Sequence, residues 1–464
     1  MAKPIDIDNN KERVKKSLRY SVVDGTFYSV MVAFGENFFS AFAVFLNATP
    51  LQLGFIASLP QALGAFFQLL FGSLMRILKS RKKIVLVGGF LEGIMYIPIF
   101  LAYFFGEKSV DYLLFFICLY WIFRLTINPA WSSWMGDLVD PKHRGEYFGM
   151  RNKITGFASF VALLFAGFIL EQFNKDTRMA LIGFGFLFAI AVVARMFSVY
   201  YLSKKYEPTF TYRESEQFSF FEFVAKARFN NYGMFVIFLC CMNFAVYLSA
   251  PFFAAYMLRD LGMDYFQFTL IVSVAVVTKF LSMDMWGKAS DKFGTKKALG
   301  IASFLIPLVP LLWIFSGNFW YLVIIQVFSG FAWAGFEICT FNFILDSTSS
   351  QKRATCVAYY NLLNGFGMII GATIGGLLAS ISLPIWASQF YLVFFVSFIA
   401  RYAVAIFFVP KIKEMRHVEK TSYKDLVIHM MSSGPTMGFL HKITSIHFND
   451  ERPTSMKFKI KHKD

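Results

Sequence analysis

Charge and cysteine are both scarce in this 464-residue chain. Asp, Glu, Lys and Arg make up 16% of it, where a soluble globular chain carries roughly 25%. Hydrophobic residues reach 57%, aromatics 19% with 60 Phe, and mean hydropathy is +0.54. That balance excludes a soluble enzyme and a disordered protein, because no soluble core of this size hides so many rings. The five cysteines (Cys118, Cys240, Cys241, Cys339, Cys356) fall in or beside apolar runs without metal-ligand spacing, which excludes a disulfide scaffold. The six histidines all lie in connections or in the C-terminal stretch, and no phosphate-binding Gly-x4-Gly-Lys-Ser/Thr loop occurs. ATP-driven work by this chain alone, a metal site, a cofactor and enzyme activity are therefore not expected.

What is present is length without charge. A membrane-crossing helix needs roughly 20 mostly apolar residues. Twelve such runs occur, near 21–46, 52–75, 84–105, 112–136, 152–171, 178–202, 232–258, 265–287, 297–315, 319–345, 355–380 and 385–409. They lack the period-2 alternation of a membrane barrel. The expected fold is an all-α polytopic membrane protein, with a basic N-terminal segment at 1–20, six spans in 21–202, a linker at 203–230, six spans in 231–410 and a basic tail at 411–464. In the eleventh run Gly367, Gly371 and Gly375 recur every four residues, which predicts a flat helix–helix contact.

The net charge of +16 is clustered between the runs, so nucleic acid is not the expected partner. Connections after runs 2, 4, 8 and 10 hold fifteen Lys and Arg, whereas those after the odd-numbered runs hold four. The positive-inside rule puts the basic side, both termini and the linker in the cytoplasm. The setting is expected to be a cell (inner) membrane, with membrane lipids as neighbours and a monomeric chain.

The chain also repeats itself. Asp137, Arg144, Asn152 and Gly156 recur at Asp346, Arg353, Asn361 and Gly365, each 209 residues later. The loop from Gly72 to Lys83 recurs as Gly287 to Lys297. Two parallel six-span halves account for both observations, giving twelve transmembrane helices as two pseudo-symmetric six-helix bundles.

Gly287-x3-Asp291-Lys-x-Gly294-x-Lys-Lys, between runs eight and nine, resembles the signature loop of the major facilitator superfamily. So does the Asp137-x6-Arg144-Gly element after run four. The resemblance covers roughly 15–410 and implies a secondary active transporter of a small organic solute working by alternating access, with protons as a candidate coupling ion. Uptake of a sugar, metabolite or peptide and export of a drug or lipid both stay open, as does a non-transporting receptor or scaffold of the same fold. Two departures stand out. Arg76 and Lys79 replace the Asp and second Gly in the first-half loop, and the Gly-Pro motif that span five of drug/proton antiporters carries is absent. The resemblance implies a cytoplasmic gate of Gly72, Asp137, Arg144, Gly287, Asp291, Gly294, Asp346 and Arg353. Gly287 would let helix backbones approach closely, and Asp291 would latch onto charged partners at Asp137/Arg144 and Asp346/Arg353.

Charges inside the runs cost at least about 2.5–3.5 kcal/mol each at the bilayer centre, so each needs a reason. Arg195, Lys279 and Arg401 lie within two to three turns of the cytoplasmic end, and snorkelling is their expected explanation. Asp24 and Asp284 are also near that face. Glu92 fits a structural ion pair or a transport role equally. Glu36 and Arg124, near mid-span, and Glu337, about three turns in, cannot reach water by stretching. In the superfamily spans 1, 4, 7 and 10 line the cavity. That implies a substrate or coupling site of Glu36, Asn37, Arg124, Asn128, Asn243, Tyr247, Trp333, Glu337 and Asn342.

Overall fold

The computed structural model describes residues 7–140, 144–208, 220–348, 353–381 and 388–415. All regular structure among them is helical. Eleven continuous stretches are long and apolar enough to cross a membrane. One of them, Arg81–Leu138, has 58 residues and reverses at Gly106, whose φ of 60° and ψ of −125° break the helix. At 1.5 Å per residue it would measure about 87 Å unbent, so it is two spans and the total is twelve.

Span 1 is Ile7–Phe34 followed by Phe39–Phe45; span 2 is Pro50–Gln68 with Phe71–Leu78; span 3 is Arg81–Ile94 with Tyr96–Leu101. Spans 4, 5 and 6 are Ser109–Leu138, Arg144–Gln172 and Thr177–Lys204. Span 7 runs through Asn231–Asp260, span 8 is Tyr265–Phe293, and span 9 is Thr295–Leu305 with Leu308–Phe315. Spans 10, 11 and 12 are Phe319–Ser347, Arg353–Ala379 and Gln389–Phe408. The helix of span 1 reaches back to Ile7, so the basic N-terminal stretch extends the first span. Ser17 accepts there from the Tyr206 amide at 2.8 Å. The linker holds a short helix, Phe220–Ala227.

Most of the span starts among the described residues are satisfied by side chains, as a chain with little water nearby requires. At the end away from the basic connections, Thr49, Asp176, Asp264, Asn318 and Ser388 cap spans 2, 6, 8, 10 and 12. At the basic end two glutamates do this work. Glu207, just past span 6, accepts from the Arg81 and Lys82 amides at 2.8 and 3.2 Å. Glu414, just past span 12, accepts from the Lys296 amide at 2.8 Å. The two lie 207 residues apart and serve spans 3 and 9, so the repeat extends to the caps.

Close backbone packing joins the halves through spans 2 and 11. A methyl group on Gly54 would lie 2.6 Å from the Ala372 carbonyl oxygen, and one on Gly365 would lie 2.9 Å from Cα of Ala62. Gly367, Gly371 and Gly375 face the carbonyls of Cys240, Phe244 and Leu248 on span 7, one carbonyl per turn. This is the flat contact that their spacing predicts.

The apolar core is divided unevenly. One cluster spans both halves at the end away from the basic loops, joining Phe42 and Phe184 to Phe252, Trp313 and Phe394. Arg259 there donates to the Val44 carbonyl at 3.2 Å, and the Tyr265 amide donates to Glu171 at 2.9 Å, both across the halves. Toward the basic end the core splits. One cluster, around Trp134 and Met135, belongs to the first half, and another, around Trp286 and Phe343, belongs to the second. A methyl group on Gly136, Gly149 or Gly287, all near that end, would meet open space. The two halves therefore meet at one end and part at the other.

Candidate functional site

Glu36 stands at a break in span 1. The α-helix ends at Phe34, a 3-10 turn covers Glu36–Phe38, and Gly35 before it lies against the Tyr96 ring, where a side chain would collide. The break turns Glu36 toward span 4, where it pairs with Arg124 and accepts from the Tyr120 hydroxyl at 2.8 Å. Both charged side chains are 18–19% exposed. Tyr96 donates to Tyr120 at 3.3 Å, and Trp121 lies under the Arg124 guanidinium at 4.7 Å. Asn37 is half-buried beside Glu36, and Asn128 is exposed one turn beyond Arg124.

A second ion pair lies deeper in the same half. Glu92 of span 3 and Arg195 of span 6 are bonded to each other, with side chains 0% and 4% exposed. Gly89 and Gly93 leave room for the Arg195 chain. Tyr28 lies between the pairs, its ring 5.6 Å from the Arg124 guanidinium and 4.9 Å from that of Arg195. Near the basic end Lys205 pairs with Asp24 at 3.4 Å, and Arg151 approaches Asp24 at 3.9 Å. Burial pushes the Lys205 ammonium below the usual lysine range, and Asp24 opposes the shift.

In the second half Glu337 bonds Lys279 of span 8 at 3.1 Å. Glu337 opens onto a cavity of about 470 Å³ lined from spans 7, 10 and 11 by Asn243, Trp333, Thr340, Phe341, Val357 and Tyr360, among others. The Thr340 hydroxyl on this wall is buried without a hydrogen-bond partner among the described residues. Tyr247 accepts from Gln61 of span 2 at 2.9 Å, across the halves. Asn342 donates instead to Ser290 of span 8 at 3.4 Å and is not among the cavity-lining residues. The charged residues thus form two clusters, one per half, and among the described residues no side-chain bond joins them.

Three side chains expected to snorkel do not. Arg195 is paired and buried, Lys279 is engaged by Glu337, and Arg401 is 2% exposed. Arg401 donates to the Ser397 and Ser249 hydroxyls at 3.0 and 2.8 Å and to the Ile306 and Val246 carbonyls at 3.3 Å each. The Ile306 carbonyl accepts from Arg401 beside the Val309 amide at 3.2 Å, and Pro310, four residues on, has no N–H to compete for it. Depth along a helix made snorkelling the expectation, but these residues face neighbouring helices.

Two of the gate residues, Asp137 and Asp346, bond to side chains of their own halves. Asp137 accepts from Arg81 at 2.6 Å, and Arg81, itself fully buried, also meets Glu207 at 3.8 Å. Asp346 accepts from Thr295 at 3.3 Å. Asp291 is exposed in the last turn of span 8, and the side chains of Arg144 and Arg353 lie outside the described residues. Gly287 meets open space, so the close approach expected of it is absent from this conformation. Gly294 has φ 97°, and Lys79 at the equivalent place in the first half has φ 48°. The degenerate copy, with Gly72 half-buried at its start, keeps the turn without the second glycine. Among the described residues no group of metal-ligating side chains occurs.

Similarity to known proteins agrees with this architecture. The chain is 29% identical to the proton-coupled antiporter flippase LtaA of Staphylococcus haemolyticus over 150 residues, 30% of this chain and 34% of the flippase. It is 25% identical to the quinolone resistance protein NorA of Staphylococcus aureus over 151 residues, 32% of this chain and 37% of NorA. The chain thus matches about a third of either relative's length. Among solved structures, the nucleoside transporter NupG superposes with TM-score 0.64 at 15% identity, covering 86% of this chain and 99% of NupG. The xylose transporter XylE from E. coli superposes with TM-score 0.63 at 13% identity, covering 89% and 100%. These likenesses show a shared fold. The model of the Major Facilitator Superfamily matches residues 25–249 and 233–440. With twelve spans in two repeated halves and a family match on each, this chain belongs to the Major Facilitator Superfamily.

Proposed function

We propose that the chain moves a small amphipathic organic solute by alternating access, coupled to protons, with its basic end in the cytoplasm. The observation that carries this reading is the divided core, continuous across the halves at one end and split at the other. It supports an inward-facing state in which the cavity beside Glu337 opens to the cytoplasm. The halves are taken as 21–202 and 231–410, joined by the linker at 203–230, in a monomeric chain with both termini inside.

The cavity volume of about 470 Å³ is within the roughly 300–1,000 Å³ of small-molecule sites. Trp333, Phe341 and Tyr360 supply apolar walls, while Asn243, Glu337 and the unmet Thr340 hydroxyl supply polar ones. Lys279 neutralises Glu337 as Arg124 neutralises Glu36. This charge balance favours an uncharged or zwitterionic solute over a fixed ion. The partly exposed Glu36, held by one arginine and one phenol, is the proposed entry point for the proton. The partial likeness to LtaA favours a second reading, outward movement of a lipid-like amphiphile.

The test is a thermal-shift screen of the purified protein against metabolites and amphiphiles at several pH values, followed by transport in proteoliposomes. A true ligand raises the melting temperature by mass action. Its transport should depend on a proton gradient and be lost in Glu36→Gln, Arg124→Ala and Glu337→Gln proteins that still insert. Unimpaired transport by all three would remove the site assignment, and the direction of movement separates the two readings.

A further inference from the structure

Two arginine–carboxylate pairs of the first half flank Tyr28, and of these Glu36–Arg124 is partly open while Glu92–Arg195 is sealed behind it. Two observations separate Glu92 from a plain counter-ion. Its Oε2 takes Arg195, but its Oε1 is buried with no hydrogen-bond partner among the described residues. An unmet buried acceptor costs free energy, and a group kept only to anchor an arginine gains nothing from it.

The second half supplies the control. Arg401 follows Arg195 by 206 residues and is equally buried. It is held by two hydroxyls and two carbonyls, and no carboxylate among the described residues pairs with it. One of those carbonyls belongs to Ile306, 214 residues after Glu92, the same offset that relates Lys82 to Lys296. This architecture therefore holds a buried arginine here without an acid, and the carboxylate of Glu92 serves another end.

Tyr120 connects the two carboxylates. Its hydroxyl donates its single proton to Glu36, and accepts from Arg124 at 3.2 Å and from Tyr96, one turn past Glu92 on span 3, at 3.3 Å. Facing Glu92 are Arg195 from span 6, Tyr120 from span 4, Tyr28 from span 1 and Tyr96 on its own span. Arg124 and Asp24 lie one shell further out.

We propose that Glu92 is a second proton-carrying carboxylate of this transporter, loaded from Glu36 through the Tyr120 hydroxyl. When Glu36 is protonated, Tyr120 loses its acceptor and turns its O–H to the idle Oε1 of Glu92. The Tyr120 O–H bond breaks as one forms on Glu92, while the phenol oxygen takes the proton that Glu36 releases. One proton moves, nothing is oxidised, and Tyr120 ends neutral. Glu36 is ionised again and recaptures Arg124, whereas Arg195 loses its ion pair and keeps the Ser198 hydroxyl, 3.0 Å away. Tyr28, held between the two guanidinium groups, passes that change to span 1.

The link to transport rests on the function proposed above, but the test does not. Infrared difference spectra of the purified full-length protein, recorded after a drop in pH, read protonated carboxyl groups without any substrate. Two carboxyl bands are expected. Glu36→Gln removes the first and delays the second, and Glu92→Gln removes the second. Tyr120→Phe keeps every charge and slows the second band by about a hundredfold, the order of a lost proton-transfer group. A Glu92→Gln spectrum that superposes on the wild type would overturn the proposal. If Glu92→Gln fails to fold, Tyr120→Phe decides alone, and a second band at the wild-type rate overturns the relay. Loss of transport with both bands intact would count against the transporter reading only.

Discussion

Replacing Gly54 by alanine drives a methyl group into the seam that holds the two halves together. The new Cβ would lie 2.6 Å from the Ala372 carbonyl oxygen and 3.2 Å from its carbon. A comfortable carbon–oxygen contact is about 3.3 Å, so the shortfall is roughly 0.7 Å. The obstacle is helical backbone, so span 11 must move as a body. A gap of that size forfeits a quarter to a half of the dispersion contact along the seam. The expected cost is about 2 kcal/mol, mid-range for overpacking. At about 2.1 cal/mol/K of unfolding entropy per residue, that lowers the melting temperature by roughly 2 °C if the whole chain melts together. The drop is about 5 °C if a single six-helix bundle melts alone. A thiol-reactive dye suits the assay, because Cys118, Cys339 and Cys356 are buried. Gly136→Ala and Gly287→Ala, which enter open space, are the controls and should melt like the wild type. A Gly54→Ala protein that melts with its controls would refute the packed seam.

Gly287→Ala carries a further expectation. Stability in this state should change by less than about 0.5 kcal/mol, while transport slows because the opposite state brings the basic ends together; equal transport rates would show no contact there. Glu207→Ala removes the acceptor for Ser80 and for two backbone amides of span 3 and should cost about 2 kcal/mol. Glu207→Gln, which keeps an acceptor, should recover about half of that melting shift, and wild-type melting in both variants would exclude the cap. Lys79→Gly relieves a left-handed residue and should raise the melting temperature by the equivalent of about 1 kcal/mol; a lower value would contradict the strain. Lys279→Met leaves Glu337 unneutralised and should tighten binding of a lipophilic amine by about tenfold, read by thermal shift. Unchanged binding would rule out Lys279 as the neutralising partner.

Much of the site was legible because charge is so rare inside the apolar runs. Glu36, Arg124 and Glu337 stand out on that ground alone, and their i,i+4 neighbours Asn128 and Trp333 follow from helical periodicity. Their partners were less visible. Lys279 and Tyr360 sit on other spans than Glu337, Tyr28 meets Arg124 from span 1 and Tyr120 meets Glu36 from span 4, and position along one helix says nothing about which neighbour that face meets. The same gap explains Arg195 and Arg401: depth suggested the interface, but their azimuth turns them inward. Glu207 and Glu414 were within reach of the sequence, since they repeat at nearly the offset of Asp137 and Asp346.

The residues in order were enough to determine an all-helical chain of twelve membrane spans in two repeated halves. That follows because lipid leaves a backbone few options and because length, apolarity and spacing are properties of the linear chain. Only the tertiary structure decided which charges neutralise one another, that the halves join at one end and part at the other, and that Glu92 keeps a buried oxygen with no hydrogen-bond partner among the described residues. Those features depend on how helices rotate and pack against partners distant in sequence, and no local pattern encodes that.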